Sequence, residues 1–157
     1  MIEQHDADNQ IRALAHRYAL ALDRRDLDGV SELFASVSRW GRHGVGPGGA
    51  RSFYDLIWRR FGRSVHNVGT HVIDLKTSTT ASGIAYCRAE QQSRDTDAWT
   101  TLQFAYHDEY VCEANTWYFL QRQPRFWYRE TDGIREHVTE PEGIPQAWDT
   151  WDTFWES

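Results

Sequence analysis

The chain has 157 residues, of which 40% are hydrophobic and 25% are charged, and its mean hydropathy is −0.69. This length predicts a single domain spanning residues 1–157, and the composition excludes a membrane-spanning or disordered chain. The net charge of −6, with arginines scattered along the sequence, argues against a nucleic-acid partner. The N-terminal ten residues are polar and acidic, unlike a secretory signal, so we expect a cytoplasmic protein without a membrane partner.

The N-terminal third of the chain carries the spacing of two amphipathic helices. Residues 8–24 place apolar side chains at helical intervals after an N-cap at Asp8 or Asn9. Asp26 is predicted to cap a second helix over residues 27–34. The positions that define these two stripes are Ile11, Leu14, Ala15, Tyr18, Leu22, Leu27, Val30, Leu33 and Phe34.

A glycine-rich break at residues 41–50 follows, and residues 51–63 return to helical spacing and predict a third helix. Residues 44–49, GVGPGG, match the spacing of a dinucleotide-binding loop. That loop works inside a β-α-β unit, whereas this chain continues into antiparallel hairpins. We therefore interpret the segment as a flexible loop and expect no nucleotide cofactor.

The second half of the chain is rich in β-branched and aromatic residues and predicts long antiparallel strands. Asn115 can supply the left-handed conformation that the hairpin turn at 113–115 requires. Beyond residue 130 the pattern predicts a loop, followed by a short helix carrying Trp148, Trp151 and Trp155. Helices followed by strands indicate an α+β fold, with helices packed on one face of a curved sheet. The predicted strands cover residues 65–75, 82–94, 98–112 and 116–129.

Two features of the composition concern cysteine and tryptophan. Cys87 and Cys112 lack the spacing of a metal or redox motif and are expected to be buried free thiols. The eight tryptophans exceed what a core of this size needs. They indicate a cavity or an interface lined with rings, and hence a ligand.

Asp23 and His66 are the candidate catalytic residues. An aspartate at the end of a helix opposes the partial negative charge of the helix dipole, at a cost of roughly 0.3 to 1 kcal/mol, so a partner should stabilise it there. His66 is expected to share a strand face with Val68, Thr70 and Val72, where a neutral imidazole can act as a base. If the sheet folds over the first helix, Asp23 can orient that ring.

His66 and His71 are not expected to form a metal-binding pair. Residues five apart on a regular strand point to opposite faces, so these two imidazoles are not expected to bind one ion. Taken singly, each of Asp23 and His66 also fits an ordinary structural role.

Residues 11–34, 64–75 and 105–122 together resemble the SnoaL-like branch of the NTF2-like superfamily, and the pattern spans roughly residues 8–129. Within that branch the chain is most similar to scytalone dehydratase, bile-acid 7α-dehydratase and hexachlorocyclohexane dehydrochlorinase. The resemblance implies a cone-shaped α+β barrel with a small hydrophobic substrate at its open end. It also implies that the protein uses neither a metal nor an organic cofactor.

The resemblance assigns an acid–base dyad to Asp23 and His66. Tyr18 matches a pocket tyrosine and would donate its hydroxyl to a substrate oxygen, although it equally fits the buried stripe of the first helix. Thr70 stands where many relatives have asparagine and is a second candidate for substrate binding. Relatives form dimers or trimers, so a homo-oligomer is expected.

The resulting hypothesis is a cofactor-independent lyase that removes a proton from carbon and expels water or another leaving group. An isomerase or a polyketide- or terpenoid-type cyclase would use the same dyad, and a non-catalytic binding or assembly protein is the remaining alternative. The C-terminal segment, residues 130–157, would either cover the pocket or form a subunit interface.

Overall fold

The computed structural model describes residues 2–137, so the predicted tryptophan helix near the C-terminus lies outside the described residues. Three α-helices precede five β-strands, which confirms the α+β class. No helix in the described range is both long enough and apolar enough to cross a membrane. The elements are α1 (Ile2–Arg24), α2 (Leu27–Ser31), α3 (Gly46–Trp58), β1 (Phe61–Leu75), β2 (Thr80–Ser93), β3 (Trp99–Glu113), β4 (Thr116–Thr131) and β5 (Ile134–His137).

Helix α1 begins at Ile2, well before the predicted caps at Asp8 and Asn9. Asp8 instead accepts a hydrogen bond from Arg12 at 2.7 Å, one turn further along the same helix. The predicted N-terminus of α1 was wrong. An aspartate inside a helix can accept a hydrogen bond from a side chain one turn away, so its presence does not require that the helix begin there. The predicted apolar stripe is buried from Ile11 to Leu22 and forms the centre of the core.

Asp26 caps α2 as predicted and accepts a hydrogen bond from the backbone of Gly29 at 2.8 Å. The glycine-rich break is not wholly a loop, because α3 starts at Gly46 and ends at Trp58, earlier than predicted. Pro47 stands in the first turn of α3, where its missing N–H costs no hydrogen bond. At Gly49 a β-carbon would lie 2.8 Å from the Gly44 backbone, so the close approach of loop and helix requires glycine.

The five strands form one antiparallel sheet in chain order, which leaves β1 and β5 as edges of an unclosed, curved sheet. Strand β5 was missed, because four residues pairing at an edge carry too little periodicity to detect. The turn between β3 and β4 has Ala114 at φ 48° and Asn115 at φ 63°, which confirms the left-handed conformation predicted for Asn115. Cys87 is buried and Cys112 half-buried, and both are free thiols.

Strand β1 contains a bulge between Val68 and His71 that changes which side chains face inward. A bulge inserts one extra residue and therefore reverses the alternation beyond it. His71 is consequently buried on the same face as His66, and Val72 is 63% exposed. The predictions that His66 and His71 face opposite ways and that Val72 shares the face of His66 were both wrong for this reason.

Candidate active site

A cavity of about 670 Å³ lies between the helices and the inner face of the sheet. Of the five tryptophans among the described residues, Trp40 and Trp58 line it, which confirms the predicted ring-lined cavity. We call its buried inner end the floor, formed by Tyr18, Tyr54, Phe104, Tyr106 and Arg122, and its more exposed outer end the mouth, formed by Arg25, Arg129 and Glu136.

Asp23 and His66 are in direct contact at one side of this cavity. Helix α1 ends one residue after Asp23, and the start of β1 crosses that end. Oδ1 of Asp23 lies 2.7 Å from Nδ1 of His66, and Oδ2 accepts the backbone N–H of His66 at 2.9 Å. The hydroxyl of Ser64 donates to Oδ1 at 3.0 Å. Three donors from β1 thus stabilise the carboxylate at the helix end and offset the unfavourable dipole.

These contacts determine the ionisation of Asp23 and which ring nitrogen of His66 faces it. Burial on its own raises the pKa of Asp23, but the hydrogen bonds from His66 and Ser64 outweigh this and lower it. An ionised carboxylate only accepts, so Nδ1 of His66 donates its proton to Asp23 and Nε2 is the free ring nitrogen. The imidazole is 4% exposed and lines the cavity, so Nε2 can serve as a base toward a bound molecule.

Tyr18 lines the cavity floor and is also part of the core. Its hydroxyl lies 2.9 Å from that of Tyr54, and burial raises the pKa of both phenols. Both rings therefore remain neutral hydroxyls at physiological pH and can donate hydrogen bonds. Tyr18 therefore occupies both predicted positions at once: it belongs to the buried stripe of α1, and it lines the cavity.

Arg122 is a floor residue that the sequence reasoning missed. Its guanidinium donates from Nε and Nη2 to the two oxygens of Asp108, at 2.9 and 2.8 Å. The side chains of Arg122 and Asp108 are 2% and 0% exposed, so this ion pair is fully buried. Burial lowers the pKa of Arg122, but the negative charge of Asp108 outweighs it and raises the pKa above its usual value. The guanidinium at the cavity floor therefore stays ionised and is paired with the Asp108 carboxylate.

The remaining nitrogen of this guanidinium is unused. Nη1 of Arg122 is buried and has no hydrogen-bond partner among the described residues. The planar group stacks on the ring of Tyr106, 3.9 Å from its centroid, and lies 4.5 Å from that of Tyr18. An unpaired buried N–H is costly, so Nη1 is suited to a bound acceptor or anion.

Asp108 also connects the floor to His71. The hydroxyl of Tyr110 donates to Asp108 at 2.8 Å, and Nε2 of His71 lies 3.0 Å from the Tyr110 oxygen. Burial lowers the pKa of His71 to about 4, so its ring is neutral at physiological pH and Nε2 carries the donated proton. His71 thus supports Asp108 and is not part of the dyad.

Thr70 does not reach the cavity. It is exposed and lies in the bulged segment of β1, where the extra residue turns its side chain away from the inner face. The structure therefore brings together Asp23, His66 and Tyr18 and leaves Thr70 outside. In the described part of the chain, no three His, Cys, Asp or Glu side chains are grouped as metal ligands.

Residues 3–123 match the model of the SnoaL-like domain, which is well over half of the chain. The chain therefore belongs to the SnoaL-like domain family, and the predicted relationship to the NTF2-like superfamily is confirmed. No curated protein matches the chain.

Solved structures share this fold at low sequence identity. A type 2 hexachlorocyclohexane dehydrochlorinase superposes with a TM-score of 0.77 at 17% identity, covering 91% of this chain and 99% of the other. The type 3 enzyme from Novosphingobium barchaimii gives 0.76 at 18% identity, covering 89% and 99%. A candidate scytalone dehydratase from Novosphingobium aromaticivorans gives 0.71 at 20% identity, covering 92% and 98%. At these identities the likeness establishes the fold.

Proposed function

We propose that the protein is a cofactor-independent lyase that eliminates water, or a comparable leaving group, from a small hydrophobic cyclic substrate. The observation that carries this proposal is the 2.7 Å contact between Asp23 and His66 at the wall of an aromatic cavity. A base, a group that orients it and a positive charge are the parts that such an elimination needs. All three are side chains of this chain.

The dyad would remove the proton. Nε2 of His66 takes a proton from a substrate carbon, and the electron pair of that C–H bond becomes the new double bond. The bond from the adjacent carbon to a hydroxyl breaks with its electron pair, and the proton on His66 passes to the departing oxygen as water. Asp23 stabilises the imidazolium in between.

Arg122 and Tyr18 would stabilise negative charge during the reaction. Nη1 of Arg122 is unpartnered, and its neighbour Tyr18 has a hydroxyl that can donate. Donors held rigidly in a buried site stabilise a developing oxyanion more strongly than water does. The bidentate pair with Asp108 holds the guanidinium still, so little reorganisation is needed at the moment of reaction.

The cavity indicates the kind of substrate. Its lining is rich in rings, among them Phe53, Phe104 and Phe126, and its volume of about 670 Å³ suits a molecule of one to three rings. The likeness to dehydrochlorinases and to a scytalone dehydratase supports elimination on a ring as the first reaction to test.

The test is dehydration of a cyclic β-hydroxy ketone. With 3-hydroxycyclohexanone as the probe, formation of the conjugated enone is followed by its ultraviolet absorbance. We expect His66→Ala and Asp23→Asn each to reduce the catalysed rate by about 10²- to 10⁴-fold. The double variant should be no slower than the slower single variant, because groups that act as a unit are not additive.

His16→Ala is the matched control, since His16 is exposed on α1 and lines no part of the cavity. It should keep the full rate. Independent, multiplicative losses in the two dyad variants would contradict the dyad. Deuterium uptake from heavy water at the α-carbon, without loss of the hydroxyl, would instead favour the isomerase alternative, which uses the same base.

A further inference from the structure

Arg25 occupies a backbone position that normally favours glycine. It follows the last residue of α1 with φ 59°, and its N–H bonds to the carbonyl of Leu22 while that of Asp26 bonds to Ala21. This is the Schellman arrangement, in which the left-handed residue is usually glycine because a β-carbon is strained there. An arginine held in this conformation indicates that its side chain has a role at that point.

The side chain of Arg25 turns toward the cavity mouth. Its guanidinium lies over the ring of Trp58, 5.4 Å from the centroid, and Nη2 donates to the carbonyl of Phe61 at 3.3 Å. All three residues line the cavity. Arg25 is therefore placed where the outer part of a bound molecule would lie.

A second guanidinium converges on the same carbonyl. Nε of Arg94 donates to the carbonyl oxygens of Phe61 and Trp58, each at 3.0 Å. Arg25 and Arg94 both line a depression that adjoins the cavity on its outer side. Partial burial and the positive charge of Arg94 lower the pKa of Arg25 and together outweigh the negative charge of Asp23, which raises it.

Neither arginine has a carboxylate partner in the part of the chain that the structure describes. The nearby acids are engaged elsewhere, since Asp23 is bound by His66 and Asp97 accepts a hydrogen bond from Gln92. Three arginines, Arg25, Arg63 and Arg94, line the depression against the two carboxylates of Asp23 and Asp97, so it is positive by one charge although the net charge of the protein is −6. Within residues 2–137, most N–H groups of both guanidinium ions have no acceptor and can bind an anion.

We propose that Arg25 at the cavity mouth and Arg94 in the adjoining depression form a binding site for a carboxylate, sulfonate or phosphate group of the substrate, whose ring system lies inside the cavity. This inference rests on the proposed function in one respect, namely that the cavity is the substrate site. It deepens that function by assigning the substrate class: an amphipathic molecule with an apolar ring and one anionic end.

Two fluorescent dyes with the same aromatic skeleton test the proposal by binding alone, without turnover. The probes are 8-anilinonaphthalene-1-sulfonate, which is anionic, and N-phenyl-1-naphthylamine, which lacks the sulfonate and is neutral. We expect Arg25→Gln and Arg94→Gln each to weaken binding of the anionic dye by about tenfold, the loss of one charge-assisted hydrogen bond. Binding of the neutral dye should stay unchanged.

Arg24→Gln is the matched control, because Arg24 is exposed, lies next to Arg25 and lines neither hollow. It removes the same charge and should leave both dissociation constants unchanged. Arg25→Gly relieves the backbone strain, so its melting temperature should equal or exceed that of Arg25→Gln while its affinity for the anionic dye stays equally low.

Several results would overturn the proposal. Unchanged affinity for the anionic dye in both glutamine variants would do so, as would an equal loss for the two dyes. A loss in Arg24→Gln as large as in Arg25→Gln would show a general effect of net charge. If neither dye binds the wild type, the cavity itself is not a ligand site, and the proposed function fails together with this inference.

The acidic C-terminal segment of the chain is a second source of carboxylates. Residues 144–157 contain Asp149, Asp152 and Glu156 and no cation. If these carboxylates occupied the arginine pair, a variant lacking residues 144–157 would bind the anionic dye more tightly than the wild type. That rise would overturn the assignment to substrate, and we expect none.

Discussion

Two carboxylates each hold a side chain that lines the cavity, and they differ in the group that they hold. Asp23 is 23% exposed and binds an imidazole, whereas Asp108 is fully buried and binds a guanidinium. An imidazole gains and loses a proton near physiological pH, and an arginine does not. The first pair is therefore suited to moving a proton and the second to maintaining a constant charge. The position of a carboxylate matters less here than the proton affinity of the group it holds.

The largest expected difference between the two pairs is in the free energy of unfolding that is lost when the carboxylate is removed. Asp108→Ala leaves Arg122 buried without a partner, and we expect the free energy of unfolding to fall by about 3–5 kcal/mol. Asp23→Ala should cost less, because water can reach the vacated site. Urea unfolding of the two variants measures this directly. Equal losses would mean that the two pairs do not differ in the way their burial indicates.

A paired substitution separates the charge from the packing. Replacing Asp108 and Arg122 together by leucine and methionine leaves no buried charge, and its stability should be closer to the wild type than that of Asp108→Ala. If the double variant is less stable than Asp108→Ala, packing and not the unpaired charge causes the loss.

His71, which reaches Asp108 through Tyr110, and Asp23 should also respond to acid in different pH ranges. The pKa of His71 is lowered to about 4, so below about pH 6.5 the unfolded chain binds a proton that the folded state refuses. This contribution to stability is complete above that pH and is lost as the pH falls toward 4. Asp23, whose pKa is lowered, stabilises the fold above about pH 4 and loses this contribution only at lower pH.

Thermal or urea unfolding from pH 8 to pH 3 would show these two ranges. From the pKa of His71, we expect a loss of roughly 2 kcal/mol between pH 8 and pH 5 that is absent in His71→Gln. The loss below pH 4 should remain in that variant and be reduced in Asp23→Asn. If His71→Gln loses as much stability between pH 8 and pH 5 as the wild type, His71 is not the group responsible for that loss.

Ser64→Ala should have a smaller effect on both stability and rate than removal of Asp23 or His66. It deletes one of the hydrogen bonds that Asp23 accepts and leaves the contact with His66. We expect a loss of about 1 kcal/mol in stability and a rate reduced by less than tenfold. Ser52→Ala, on the exposed face of α3, is the control. A loss as large as that of His66→Ala would make Ser64 part of the catalytic unit.

Deletion of residues 144–157 is expected to have the smallest effect. If the segment covers the cavity, binding of the neutral dye should weaken by a few-fold while the oligomeric state is unchanged. Size-exclusion chromatography with light scattering distinguishes this from a subunit interface, for which the deletion would release monomers.

The spacing of residues along the β3–β4 hairpin does not by itself predict that Asp108 lies opposite Arg122. Continued regularly from the turn at Asn115, the hairpin would pair Asp108 with Gln121. A bulge between Glu109 and Tyr110, where Leu120 of β4 is the extra residue, shifts the register by one, so Arg122 takes that place and faces inward. Such a shift depends on how β3 and β4 pack against α1, which local spacing does not record.

The sequence by itself determined the helix that ends at Arg24, one residue after Asp23, the left-handed turn at Asn115 and the order of helices and strands. These follow from local forces: the period of apolar residues, capping and turn conformation. Only the tertiary structure decided that His71 faces inward and contacts Tyr110, that Arg122 is buried at the floor and that Arg25 turns to the mouth. Each depends on a bulge or a contact between distant segments, and a shift of one residue reverses the face on which a side chain lies.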